Sequence, residues 1–225
     1  MSELAGAWPW AALVGLGLFH GVNPAMGWLF AVALGLQEGR RGAVVRALAP
    51  IALGHAASIL AVVAVVGAAR AVVDLHLLRL AAGWLLVGFG AYRLVRGYRH
   101  KFRVGMQAGS ADLALWSFLM ATAHGAGLMV IPVLLEMPMG AAHAAAENPH
   151  VPVMVAFGDS LALALAAVGV HTAAMLATTG AIAVIVFDRV GLAVLRRGWV
   201  NLDLLWALAL IAAGALLLAL VGGWI

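Results

Sequence analysis

An all-α, polytopic membrane protein is the fold class this sequence predicts, and three observations predict it. The 225 residues are 65% hydrophobic and only 10% charged, against roughly 25% charged in a soluble domain. Mean hydropathy is +1.08. Lys and Arg cluster between long apolar runs rather than within them. At about 20 apolar residues per crossing, one domain over 1–225 accommodates six transmembrane helices. Little mass is left outside the lipid bilayer. The expected location is therefore the cell's inner (plasma) membrane, as a multi-pass protein. The formal net charge of +4 reads as membrane topology, not as a nucleic-acid footprint. The absence of cysteine excludes thiol relays, thiolate metal sites and disulfides. The N-terminus has no basic n-region or small-residue cleavage site, so the first apolar run is read as a retained helix.

The spans follow in order. The first, about 8–36, is long enough to be broken, and Asn23-Pro24 supplies the break. Trp8 and Trp10 stand at interface depth. The second, about 43–69, carries His55 and is expected to kink at Pro50. A connection from 70 to 79 leads to the third, about 80–94. The polar segment 96–112 separates it from the fourth, about 113–135, which carries His124 and Pro132. A loop over 136–152 contains His143, Glu147 and His150 and no Lys or Arg. The fifth span, about 153–187, has Asp159 early and His171 centrally. An amphipathic link, 188–197, precedes the sixth, about 199–224.

Eleven of the thirteen Lys and Arg residues fall in alternate loops: one-two, three-four and five-six. Only Arg70 and Arg79 fall on the other side. The positive-inside rule then places both termini outside.

Three helices per half require the second half to enter from the opposite face, as an inverted repeat. Repeat one covers about 8–98 and repeat two about 112–225. Leu18-Phe19-His20-Gly21 corresponds to Thr122-Ala123-His124-Gly125, and His55 corresponds to His171. At 1.5 Å per residue, all four histidines lie within about a few ångström of the bilayer centre. The break is expected to be asymmetric, because the only proline of the fourth span, Pro132, lies two turns beyond His124.

Histidines at mid-bilayer are functional-site candidates. Neutral imidazole is a common ligand of nickel, cobalt, zinc and copper. The expected cargo is therefore a divalent transition-metal ion, held by His20, Asn23, His55, His124 and His171. His20 and Asn23 are spaced i, i+3, as are His55 and Ser58. Met120 and His124, and His171 and Met175, are spaced i, i+4. Met26, Met120, Met175 and Asp159 are accessory candidates. His143, Glu147 and His150 are candidates for collecting metal at the outer surface. Glycine after His20 and after His124 permits close approach or local unwinding. Two facing histidines also satisfy the ligand requirement of a haem, which is the alternative cofactor. An enzyme is not expected. The His-x-x-x-His motifs of membrane diiron hydroxylases are absent, and nothing positions a distant histidine against Asp159 and Ser160. The small residues of the third and sixth spans, Gly88, Gly90, Ala212 and Gly214, suit either internal packing or a homodimer.

With its His-bearing first helix and its three-plus-three plan, the chain resembles the lysine-exporter (LysE) superfamily. Within it, His20, Gly21, Val22, Asn23 and Pro24 are similar to the His-Ala-Leu-x-Pro-Gly-His motif of the nickel/cobalt exporter (NicO) type. Met26 and Gly27 stand where the second motif histidine would be. The resemblance implies six helices, secondary transport of nickel or cobalt, and export. The superfamily also includes exporters of amino acids, so a small organic solute is the alternative cargo.

Overall fold

A computed structural model describes residues 2–70, 72–96, 109–137, 153–190 and 202–224. Every regular element among them is helical. In order they are α1 (Ser2–Val22), a 3-10 turn (Pro24–Met26), α2 (Trp28–Glu38), α3 (Arg41–Arg70) and α4 (Leu75–Arg96). Then come α5 (Ser110–His124), α6 (Ala126–Glu136), α7 (Val153–Ile185) with a π turn at Val186–Val190, and α8 (Leu202–Val221). Among the described residues, four helices are long and apolar enough to cross a membrane, five if α5 and α6 form one bent crossing. The apolar helices Ala7–Val22 and Trp28–Glu38 are shorter.

The distribution of polarity fits a membrane protein. Leu53, Val65, Trp84 and Leu161 face outward. His20, His55, Ser117, His124, His171 and Thr179 are buried. An apolar exterior, with the few buried polar side chains set within an otherwise apolar core, suits hydrocarbon rather than water as the surrounding solvent.

Three helix pairs carry most of the packing: α1 with α7, α3 with α5, and α4 with α8, while α3 meets α7 between them. The α1–α7 seam is close because Gly17 and Gly21 present no side chain. A Cβ at Gly17 would strike the carbonyl of His171, and one at Gly21 the carbonyl of Met175. The α4–α8 seam closes at Gly83, Gly90 and Gly214, so these small residues serve packing within the chain. Gly88 faces open space. Ser117 donates to the Ile51 carbonyl at 2.7 Å, tying α5 to α3.

Several boundaries differ from the sequence expectation. Helix α3 runs unbroken through Pro50. Helix α4 begins at Leu75, because the Asp74 carboxylate accepts from the backbone N–H groups of His76 and Leu77. The break in the fourth span is at Gly125, not at Pro132, which lies inside α6. Gly125 adopts φ 72°, a left-handed conformation that glycine accepts without cost, and α5 and α6 meet there at 65°. The expected asymmetry of the two breaks is thus corrected in position: each chain break follows its histidine within three residues. They differ only in chemistry, an Asn-Pro turn in one and a left-handed glycine in the other.

Candidate metal centre

His20 lies in the last turn of α1, and His124 is the last residue of α5. His55 and His171 lie within α3 and α7. The four helices bring these rings into one cluster with no solvent exposure. The His20 ring centroid is 4.8 Å from that of His171 and 5.5 Å from that of His55, both edge to face. His55 and His171 stack at 5.6 Å with 9° between planes. His124 joins through Trp206, whose ring centroid lies 6.0 Å from it and 4.3 Å from His20.

Backbone carbonyls fix the tautomers. Nδ1 of His20 lies 2.7 Å from the Leu16 carbonyl, and Nδ1 of His124 lies 2.8 Å from that of Met120. Nδ1 of His171 lies 3.2 Å from the carbonyl of Leu13, across the α1–α7 seam. A carbonyl can only accept, so each Nδ1 carries the proton and each Nε2 keeps its lone pair. This is the arrangement in which metal-binding histidines are usually held. Nε2 of His20, Nε2 of His171 and both ring nitrogens of His55 are buried with no hydrogen-bond partner. Unpaired buried nitrogens are costly, about 1–3 kcal/mol each. Their concentration at one point needs a reason.

The broken helix ends are capped from outside. Gly21 and Val22 carbonyls accept from Thr179 Oγ1 at 3.4 Å and Trp28 Nε1 at 3.0 Å. The Ala123 carbonyl accepts from Arg93 at 2.9 Å, and the His124 carbonyl accepts from Trp206 Nε1. Two half-helix C-termini, each the negative end of a helix dipole, therefore finish at the histidine cluster.

The remaining candidates separate. Asn23 lies outside α1, with extended backbone, and its side-chain oxygen caps the 3-10 turn by accepting from Ala25 N at 2.9 Å. The shared helix face expected for His20 and Asn23 therefore does not exist, because the helix ends between them. Ser58 contacts the Thr122 hydroxyl at 2.9 Å and is used in the α3–α5 seam. Met26, Met120 and Met175 are buried, and the Met175 sulfur accepts from Thr179 at 3.3 Å. Asp159 lies in α7, but its side chain is outside the described residues, as are His143, Glu147 and His150. The described carboxylates are all engaged at helix ends. Glu38 binds Arg40 and Arg46, Glu136 binds Arg79, Asp188 faces Arg41, and Asp74 and Asp112 cap α4 and α5. Among the described residues, no group of three His, Asp or Glu side chains is arranged to hold a metal ion. The stacked pair shows why: ring lone pairs lie in the ring plane, so His55 and His171 do not aim at a point between their faces. For the same reason neither donates to a haem iron between them.

Comparison with protein-family models, with curated proteins and with solved structures finds no match. The cluster therefore stands on its own geometry. A cavity of about 310 Å³ between α2, α3 and the start of α5 includes Glu38 and Arg46 and none of the histidines.

Sequence reasoning misses Trp206 and Thr179. Trp206 lies near the start of an apolar run, where tryptophan ordinarily marks the membrane interface, and Thr179 is one hydroxyl in an Ala- and Thr-rich stretch.

Proposed function

We propose that this chain is a small secondary transporter of a divalent transition-metal ion, with nickel or cobalt the leading cargo. It would be built as six crossings in two inverted three-helix repeats with both termini outside. The observation that carries the reading is the buried cluster of His20, His55 and His171, with ring lone pairs unpaired. Imidazole without thiolate or carboxylate suits nickel, cobalt, zinc or copper better than magnesium or calcium. The two half-helix C-termini would supply negative potential where no described carboxylate does, as in transporters with broken helices.

Pairwise packing supports the repeat. Helix α1 of the first half lies on α7 of the second, as α5 of the second lies on α3 of the first. The third helix of each half, α4 and α8, pair with each other. The resemblance of His20 to Pro24 to the nickel/cobalt exporters points to export. Ligation requires the rings to turn or α1 to slide on α7, so the closed cluster is read as an occluded form. Rocking of one half against the other would open it to either side.

The test is flux of nickel, cobalt and zinc into proteoliposomes containing a metal-sensitive dye, paired with elemental analysis of the purified protein. The wild type should move at least one of these ions, and His171→Ala should not. Equal flux from both proteins would overturn the reading.

A further inference from the structure

The cavity of about 310 Å³ lies at the end of the bundle that carries Arg40, Arg41 and Arg46, and it has a charged rim and an apolar floor. The rim is Glu38 and Arg46, joined from Arg46 Nη2 to both carboxylate oxygens at 2.7 and 2.9 Å. Their side chains are 37% and 61% exposed, so the rim reaches solvent. The floor is Ala43, Ala47 and Leu113, all buried.

The floor leads towards the histidines. Ala43, Ala47, Ile51 and His55 follow one another at i, i+4 along α3, so consecutive members adjoin on the helix surface. At 1.5 Å per residue, His55 lies about 12 Å beyond Ala47, with Ile51 midway. Helix α5 forms the facing wall at the same spacing. Leu113 is followed by Ser117, whose hydroxyl donates to the Ile51 carbonyl. The alanines leave space, and the row closes at Ile51, its first large side chain, which is fully buried. Ile51 rests on Gly27: a Cβ there would lie 2.9 Å from Ile51 Cδ1. Gly27 ends the 3-10 turn that breaks the first span, at φ 121°, a conformation suited to glycine. Ile51 is therefore seated on the segment that must move when α1 and α2 change angle.

We propose that this cavity is the inner mouth of the transport path and that Ile51 is the plug between it and His55. Movement at the break before Gly27 withdraws the seat of Ile51 and joins the mouth to the histidine cluster. The proposal rests on the transport reading above, but not on the identity of the cargo.

The chain has no cysteine, so single introduced cysteines report access without background. The experiment follows their modification by a charged, membrane-impermeant methanethiosulfonate in the full chain in proteoliposomes. Ala47→Cys should react readily. His55→Cys should react only through a minor open state, populated at about 10% or less. Adding Ile51→Ala should therefore raise its rate by about tenfold or more. Adding Ile59→Ala instead removes the same atoms from an equally buried position one turn beyond His55 and should leave the rate unchanged. Met26→Cys, buried beside Gly27, is the second probe if His55→Cys does not fold, with the same expectations. An unreactive Ala47→Cys, or probes that stay protected with Ile51→Ala, would overturn the proposal. An equal rise with Ile59→Ala would overturn it too, by showing general loosening. Labelling needs no cargo and is scored apart from flux. Protected probes in a chain that still moves ions remove the plug and leave the transport reading standing.

Discussion

His20 and His124, in different halves of the chain, make the same hydrogen bond: each donates from Nδ1 to the carbonyl four residues upstream, Leu16 or Met120. Each also stands at the C-terminal end of a helix that breaks within the next three residues. A histidine bonded back to its own last turn is oriented by the helix that carries it. Moving a half-helix therefore moves its imidazole as a rigid attachment, which is how a site of this kind would be coupled to conformational change.

The His55 ring carries the clearest polar burial cost in the cluster. Both its nitrogens are buried and unpartnered. His55→Leu should raise the thermal unfolding midpoint in detergent, corresponding to roughly 1–3 kcal/mol from removing an unsatisfied polar group. It should abolish metal flux at the same time. A lower midpoint would show that His55 is held by contacts its ring supplies.

Ligand linkage offers an independent check. An ion at 100 times its Kd should stabilise the wild type by about 2.7 kcal/mol. His171→Ala should show no ion-dependent shift while remaining folded by size-exclusion chromatography. Persistence of the shift in that variant would place the ion elsewhere.

The α1–α7 seam should tolerate no side chain at Gly17. Gly17→Val forces a Cβ into the His171 carbonyl and should cost about 1–3 kcal/mol by overpacking. Since Leu13 on the same helix orients His171, metal affinity should fall with it. Gly88→Val, at a position with open space, is the matched control. Equal loss in both would point to a general intolerance of bulk.

Arg79 and Glu136 join α4 to the end of α6 at 2.8 Å, both about one-third exposed. Partly exposed pairs contribute about 1 kcal/mol or less, so Glu136→Gln should leave the fold intact. If the pair steadies α6 in the closed form, Glu136→Arg should accelerate or uncouple flux, and adding Arg79→Glu should restore it. Failure of the double variant to recover would separate the two residues functionally.

Much of this arrangement is legible in the amino-acid sequence. Apolar run lengths and the clustering of Arg and Lys mark out the helices, and counting residues along each run leads to the expectation that four histidines lie near one another. The Asn23-Pro24 break is readable because proline's missing N–H acts locally. Gly125 is recognisable as a place where a helix can unwind, but its left-handed turn is not dictated, since glycine permits that turn without requiring it. The spacing argument for Asn23 fails because it assumes a helix that ends one residue earlier.

Composition and spacing thus determine on their own that the chain is helical and that it fits a membrane, since these depend on rise per residue and on solvent. Only tertiary packing decides that three imidazoles touch, that His171 is oriented by Leu13 from another helix, and that Trp206 covers the His124 carbonyl. Those contacts join residues up to 158 positions apart. Their geometry depends on how closely helices approach, which seams such as Gly17 against His171 set and no local pattern encodes.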